Sequence, residues 1–449
     1  MTDDKLYPLA DDVLSRLLKG GATGAKVVAR AGQDLSVRVR LGDVEHVEEA
    51  GAQSVAVRAM KGRHVATSST NDLTPAGLAR LVSDALELCD LAQEDPCADL
   101  PDPSELSREH RDLKLHDPAC SGIMAGEAVE RARKGVQAAR DYDPRITNSE
   151  GASFGRAASG FVLVTSGGFR GGYRGSYASL VVSPVAADEG GKNRTASYWS
   201  ARRFLDKLED EVAVGREAAR RTVALLGAKK VPTQEAPVVF DPDAARSLVG
   251  AFAGCITGDA IYRRSSYLVD RLGTPVASEL VTLTDDPLIE SGPGSRPFDA
   301  DGLPARRNVV VERGELKTYL LDTYSARKLG MKSTGNAASM TGTGAGTSNF
   351  FLAPGTQSRE EILRSTKRGL YVTSMMGFGF NAVTGDFSRG ATGYWIEDGE
   401  LAFPVSEVTI SLNFNALFGS IDAVGDDLDL KSGIASPTFR VARMTIAGS

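Results

Sequence analysis

Histidine is scarce: there are 4 in 449 residues, at His46, His64, His110 and His116. Beyond position 116 no imidazole can serve as metal ligand, general base or proton shuttle, which excludes an HExxH zinc helix there. Cysteine is equally sparse, at Cys89, Cys97, Cys120 and Cys255. No two form a CxxC pair, and the spacings fit neither a zinc ribbon nor a finger. Scattered thiols in a chain this long read as small buried hydrophobes in a reducing compartment. Long apolar runs are missing as well. The charge-free stretch between Arg246 and Asp259 is twelve residues long, too short to span a bilayer. The opening MTDDKLYPLADD lacks the basic and apolar regions of a signal peptide. Positive charge is not in excess. Lys+Arg 52 against Asp+Glu 58 gives −6, which argues against bulk attraction to nucleic acid or anionic membrane. These absences predict a soluble, cytoplasmic protein with no direct nucleic-acid or membrane partner.

What is present is glycine, 48 residues of it, in a chain long enough for about three domains. The first segment, 1–95, reads as a compact α+β unit. A helix is expected near Leu9 to Lys19. Leu35, Val37, Val39 and Leu41 alternate with polar residues as a half-buried strand does. Runs at 53–60 and 63–69 make a hairpin about Lys61-Gly62. Thr74-Pro75 opens a helix with the stripe Leu78, Leu81, Val82, Ala85, Leu86 and Cys89. Residues 94–118, rich in Pro, Asp and Glu, read as a linker in which His110 and His116 are solvated. A central segment, 117–230, has helices near 122–142 and 209–226, with short strands at 146–150, 159–166 and 177–184. Its GGFRGGYRG cluster, 167–175, has the composition of an RNA-binding RGG segment, but one short copy between strands reads as a glycine-rich hairpin bend. The third segment, 235–449, starts with strand PVVF (237–240) and a helix capped by Asp241 or Asp243. Short β runs follow at 279–284, 308–313, 317–321, 370–375, 393–397, 407–413 and 438–446. The fold class is therefore α+β: a sandwich-like N-terminal part, then a strongly curved, mostly antiparallel β region.

Standard site signatures are absent. There is no P-loop and no GxSxG elbow, and a Ser-His-Asp triad would need a histidine from the first segment or linker. GFGFNAVTG (377–385) lacks the βαβ context of a dinucleotide fingerprint. GTGAG (342–346) lies in a Ser/Thr/Gly-rich stretch that reads as a flexible surface loop. Asp285-Asp286, Asp299/Asp301 and Asp426-Asp427-Asp429 read as turn and cap residues before they read as cation sites. By composition alone, peptide binding and an unrecognised enzyme stand level.

The third segment nevertheless carries extended motifs: GDAIYRRSSYLVDRLGTPVAS (258–278), FDADGLPARRNVVVERGELKTYLLDTYSARKLG (298–330), STGNA (333–337), SNFFLAPG (348–355) and FNAVTGDFSRGATGYWIEDGELAFPVSEVTI (380–410). In order and spacing they resemble the TldD/PmbA family, also called the modulator of DNA gyrase family, and within it the PmbA (TldE) branch. The resemblance implies two related subunit types. The TldD type is a zinc peptidase whose helix carries HExxxH, with a late cysteine completing the site. Such a site places a carboxylate to act as base on a zinc-bound water. Anchored on Gly258-Asp259, both histidine positions fall on Val249 and Gly254, and the glutamate position on Gly250. No cysteine follows Cys255. The expectation is thus no catalytic residue, metal ligand or cofactor in this chain, with zinc held by a TldD-type partner subunit. The pair would degrade or trim small or unfolded peptides. Arg263, Ser266, Thr334, Gly335, Asn336, Ser348 and Asn349 are expected to line the peptide cleft, through strand addition on a glycine-rich surface. The alternative reading is a homodimeric peptide-binding or regulatory protein without peptidase activity; a homodimer is also expected when the chain is alone.

Overall fold

A computed structural model describes residues 3–448 of the chain. The outermost positions of the anticipated 1–95 and 235–449 segments therefore lie outside the described residues. Helix α1 (Asp3–Lys19) leads into three strands, β1 (Gly24–Arg40), β2 (Asp43–Lys61) and β3 (His64–Thr70). Helix α2 (Pro75–Leu91) starts at the predicted cap, where the Thr74 hydroxyl accepts from the Gly77 N–H. After a single turn, α3 (Pro118–Gly122), come α4 (Ala125–Arg140) and the long strands β4 (Ile146–Thr165) and β5 (Arg170–Ala187). Short strands β6 (Asn193–Thr195) and β7 (Tyr198–Arg202) precede α5 (Glu211–Val223).

The first helix starts before Leu9 and carries Pro8 within it. The first two segments are not separate layers. One antiparallel sheet runs β3-β2-β1-β4-β5-β6, with β7 also on β5, and β1 pairs with β4 from Lys26↔Thr165 to Val39↔Ala152. Strand β1 is 17 residues long, ~55 Å at about 3.4 Å per residue. Its alternate residues serve two cores on one face. Ala25, Val27, Ala29 and Ala31 are buried under α1 in a core that α2 extends, while Leu35, Val37 and Val39 are buried under α4 in a core that α5 extends. The expected short strands of the central segment are in fact continuous. Only residues 166–169 turn the chain, and 170–175 of the glycine cluster pair with β4. Glycine is required inside β5, because a Cβ on Gly172 would sit 2.6 Å from the Phe161 carbonyl.

The third region starts with β8 (Gln234–Phe240), α6 (Pro242–Cys255) and α7 (Gly258–Tyr262). Strands β9 (Leu283–Asp285), β10 (Asn308–Glu312) and β11 (Glu315–Leu316) precede α8 (Thr323–Leu329). Then come β12 (Phe350–Leu352), α9 (Arg359–Arg364), β13 (Arg368–Met376), β14 (Asp386–Glu397) and β15 (Glu400–Asn413). The chain closes with α10 (Phe414–Gly419), β16 (Ile421–Val424), β17 (Ile434–Ala435) and β18 (Phe439–Ala447). The order β15-β14-β13-β8-β18 closes into a barrel because β15 also pairs with β18. Its core holds Phe240, Phe252, Trp395, Phe414, Phe418 and Phe439. A second sheet runs β11-β10-β9-β12-β17. The pairings β8–β13 and β12–β17 are parallel, and the other strand pairs of the two sheets are antiparallel. The fold is α+β with a curved, mostly antiparallel C-terminal region, as the sequence pattern predicts. The anticipated strand at 317–321 does not form. There the Leu320 N–H donates to Ile256 O and the Leu321 N–H to the Thr334 hydroxyl, which satisfies the backbone across the α6–α7 joint instead.

Residues 94–118 are irregular, as expected of a connection, but they are not a free linker. Leu113 and Leu115 are buried, and Arg327 of α8 donates to the carbonyls of Cys97, Asp99 and Leu100. His110 lies with its ring centroid 4.7 Å from Phe298 and 5.6 Å from Phe169, rather than solvated on all sides. Cys89, Cys120 and Cys255 are buried, as anticipated for small hydrophobes, and Cys97 is half-buried. No helix among the described residues is long and apolar enough to cross a membrane.

Candidate functional site

Helix α6 is nucleated by Asp241, whose carboxylate accepts from the Asp243 N–H at 3.0 Å, with Pro242 in the first turn. Burial pushes the Asp241 carboxyl above its usual range, against the opposing pull of Arg221. Ala244, Ala245, Leu248, Val249, Phe252 and Cys255 turn into the core. At the positions of the anticipated zinc motif, Val249 is fully buried. Gly250 and Gly254 contribute no side chain: a Cβ on Gly250 would meet Ile434 at 3.7 Å, and one on Gly254 would meet nothing within 4 Å. Burial drives the Cys255 thiol up to about 12, so it stays protonated and out of reach of a cation. Among the described residues, no three His, Cys, Asp or Glu side chains gather as a metal would require. These residues do not fit zinc.

Beyond α6, Gly258 packs so tightly on α8 that a Cβ would fall 2.1 Å from the Ser325 hydroxyl. This contact brings Asp259 beside Asp322, the cap of α8. Burial first, and then the Asp322 charge, raise the Asp259 carboxyl, and its Oδ1 is buried without a hydrogen bond. Asp322 accepts from the Gly344 N–H at 2.8 Å. The 342–346 stretch is therefore held against α8, where a flexible surface loop was expected. Its Gly344 O accepts from the Ala338 N–H, and its Gly346 N–H donates to Asn336 O.

Two cations from the first sheet complete this seam. Lys26 of β1 is 2% exposed and reaches Asp301 at 3.2 Å. Its cross-strand neighbour Arg58 donates to Gly342 O at 3.0 Å. Burial pushes the Asp301 carboxyl up, but the Lys26 charge and hydrogen bonds from Thr323 outweigh it and hold it low. Neighbouring Asp299, buried and facing the Asp301 charge, is driven upward. Its oxygens accept from the N–H groups of Asp301, Leu303 and Ala337, the turn role anticipated for it. None of Lys26, Arg58, Asp259 and Asp322 is evident as a site residue from sequence motifs. The available signal is a cation inside an apolar strand, AKVVARA for Lys26 and SVAVRAM for Arg58, which demands a partner.

The residues anticipated to line a cleft divide into two groups. Thr334, Asn336 and Ser348 converge on Asp285, which is fully buried. Asn336 donates to Asp285 at 2.7 Å, the Ser348 N–H donates to it at 2.6 Å, and Thr334 donates to Asn336 at 2.8 Å. Asn349 clamps the next turn, donating to Asp286 O and Ser295 and accepting from the Gly294 N–H. Gly335 takes a positive φ of 74° beneath Pro304. Ser266 is buried and donates to Cys255 O at 2.6 Å, fixing the end of α6. Arg263 is the exposed one, its Nε donating to the Tyr262 hydroxyl at 3.1 Å. Most of these residues tie turns together within the third region, and none of them lines either of the two cavities described for the chain.

Three segments match the PmbA/TldA metallopeptidase family: domain 1 at residues 25–89, the central domain at 122–226 and the C-terminal domain at 233–448. The metalloprotease PmbA of Escherichia coli O157:H7 is 36% identical over 444 residues, which cover 99% of this chain and 96% of that protein. A metalloprotease TldD homologue of Buchnera aphidicola is 26% identical over 363 residues, covering 73% of this chain and 74% of its own. A candidate modulator of DNA gyrase from Bacteroides thetaiotaomicron, solved by crystallography, superposes with a TM-score of 0.93 at 27% identity and full coverage of both chains.

Proposed function

The chain belongs to the PmbA/TldD metallopeptidase family, and from that premise we propose that it is the PmbA/TldE-like subunit of a two-chain zinc peptidase. It works in the cytoplasm on small or unfolded peptides, beside a TldD-type chain that carries the metal. The observation that carries this reading is the helix α6. Where the resemblance implies two imidazoles and a carboxylate, this chain has a core valine and two glycines, one of them facing open space. In this reading the open helix end, the clamped 342–346 strand-like loop and Arg263 form one wall of a cleft whose chemistry belongs to the other subunit. Backbone groups on such a wall recognise an extended peptide with little regard to its side chains.

The test is to purify the chain alone, measure zinc by mass spectrometry, and assay hydrolysis of an unfolded peptide before and after adding a TldD-type chain from the same genome. The expected result is well under one zinc per chain, no hydrolysis alone, and chelator-sensitive hydrolysis after mixing. Stoichiometric zinc in the lone chain, with hydrolysis that a chelator abolishes, overturns the proposal. A homodimer that binds peptide and gains nothing from the second chain favours the regulatory reading instead.

A further inference from the structure

The motifs left unused by the peptidase reading meet in one place. The connection at 110–116 folds over the start of β5, so the two histidines His110 and His116 and the Tyr173-Arg174 pair of the glycine cluster line a single cavity of about 520 Å³. Phe204 and Pro297 also line it. Its wall is aromatic: Tyr173 lies 5.5 Å from Phe298 and 4.6 Å from Phe161, both edge-on, and Phe298 continues to His110.

Charge around this cavity is lopsided. Lys114 and Arg111 are answered by Glu290, at 2.9 and 3.8 Å. Asp112 lines the cavity, but its carboxylate accepts from the Lys114 N–H. Arg174 lines the cavity and has no carboxylate within ion-pair distance among the described residues; Arg30, Arg203 and Arg296, which do not line it, have none either. Arg203 reaches only backbone carbonyls, those of Gly292, Pro293 and Leu115. Arg296, next to the lining Pro297, has Nε and Nη2 closed off from solvent, and its charge also acts on the buried carboxyls of Asp285 and Asp299. The charges of Arg296, Arg203 and Arg30 all reach the Tyr173 phenol. A planar fork of donors suits carboxylate and phosphate oxygens, and Arg174 presents one at the cavity that no carboxylate occupies.

We propose that this cavity binds a small ligand that carries an anionic group, carboxylate or phosphate, on a flat ring. The ring packs against Tyr173, His110 and Phe204, and the anion meets the Arg174 guanidinium at the mouth, on the side of Arg111 and Lys114. This site does not depend on the peptidase reading, because it lies within one chain and needs no second subunit.

Two matched pairs of probes test it by ligand-observed NMR on the full chain: N-acetylphenylalanine with its amide, and AMP with adenosine. In at least one pair the charged member should bind at least tenfold more tightly than its neutral twin, and the pair that does so identifies carboxylate or phosphate as the preferred group. Arg174→Gln, at an exposed side chain, should weaken the charged probe at least fivefold. Arg16→Gln, at an ion pair with Asp12 on α1, should leave it unchanged. No binding in either pair, equal binding of charged and neutral twins in both, or an Arg174→Gln protein with unaltered affinity overturns the proposal.

Discussion

The first sheet and the third region solve the same problem of holding strands together by different means. Along β1 and β4, regular alternation buries Val27, Val37, Phe154 and Val162 under helices, and hydrogen-bonded register is continuous over tens of ångströms. In the third region β9 and β12 have three residues each, and β11 and β17 two. Strands so short carry little pairing energy of their own. What holds the loops between them is a set of buried carboxylates: Asp285, Asp299 and Asp322 each collect N–H or amide donors from more than one turn, and Asp301 accepts from the Thr323 N–H and from Lys26. Apolar layers tolerate changes of shape that keep volume, whereas a buried carboxylate needs every donor it has. The lesson is that the two regions should fail differently.

The seam between them offers the largest expected effect. Lys26→Met keeps the length of the side chain but leaves Asp301 buried without its cation. About 3 kcal/mol of stability should be lost, the lower end for breaking a buried pair, because the Thr323 N–H still donates to Asp301. A denaturant midpoint measures it. Adding Asp301→Asn should restore part of the loss, and strict additivity of the two would show that the pair is not coupled. The pH dependence has a fixed sign. Asp301 is held below its unfolded value, so its contribution is complete above the ordinary carboxylate range and fades as pH falls through the lowered value. The Lys26→Met protein should lack that part of the acid limb.

Next in size is a change inside the third region. Asn336→Ala removes the donor to Asp285 and to Gly346 O, and the acceptor of Asn308 and Thr334. A loss of about 2 kcal/mol is expected from the groups left buried and unsatisfied. Asn336→Asp should not rescue it, since a second carboxylate would face Asp285. Hydrogen exchange distinguishes the regions: amides of 336–349 should open while those of β1 and β4 stay protected. Equal loosening of both would erase the contrast.

Legibility from sequence follows the same division. The Lys61-Gly62 hairpin, the Thr74-Pro75 helix start and the Asp241 cap were all readable, because each rests on local chemistry that the fold keeps. Period-two patterning found the C-terminal end of β1 but not its first half, since residues 25–29 are buried on both faces, so nothing alternates there. The 317–321 run looked like a strand, but the N–H groups of Leu320 and Leu321 go to Ile256 and Thr334, which lie outside any neighbouring strand. At the candidate site, the positions of the degenerate metal motif came from resemblance, not periodicity. Thr334, Asn336 and Ser348 are polar residues in a glycine-rich stretch. Sequence alone cannot distinguish a cleft-facing amide from one that ties Asp285, because the partner lies some 50 residues away along the chain. The cavity at His110 and Tyr173 was hidden for a related reason: it forms only when a connection folds onto a strand that follows it by 60 residues.

The smallest expected effect tests the first sheet on its own terms. The Thr74 hydroxyl accepts from the Gly77 N–H at 3.1 Å, and Thr74 is itself steadied by Asp72, which accepts from both its N–H and its hydroxyl. Thr74→Ala leaves one first-turn N–H to water and releases Asp72, which costs about 1 kcal/mol. Helix α2 also buries Leu78, Leu81, Val82, Ala85 and Cys89 against β2 and β3, so the helix should stay formed in circular dichroism and only the melting point should fall. The damage should remain local because α2 contributes no polar group to the seam with the third region. A drop as large as that of Asn336→Ala would mean that the helical layer, too, depends on single hydrogen bonds. The two regions would then differ in the length of their strands but not in what holds them.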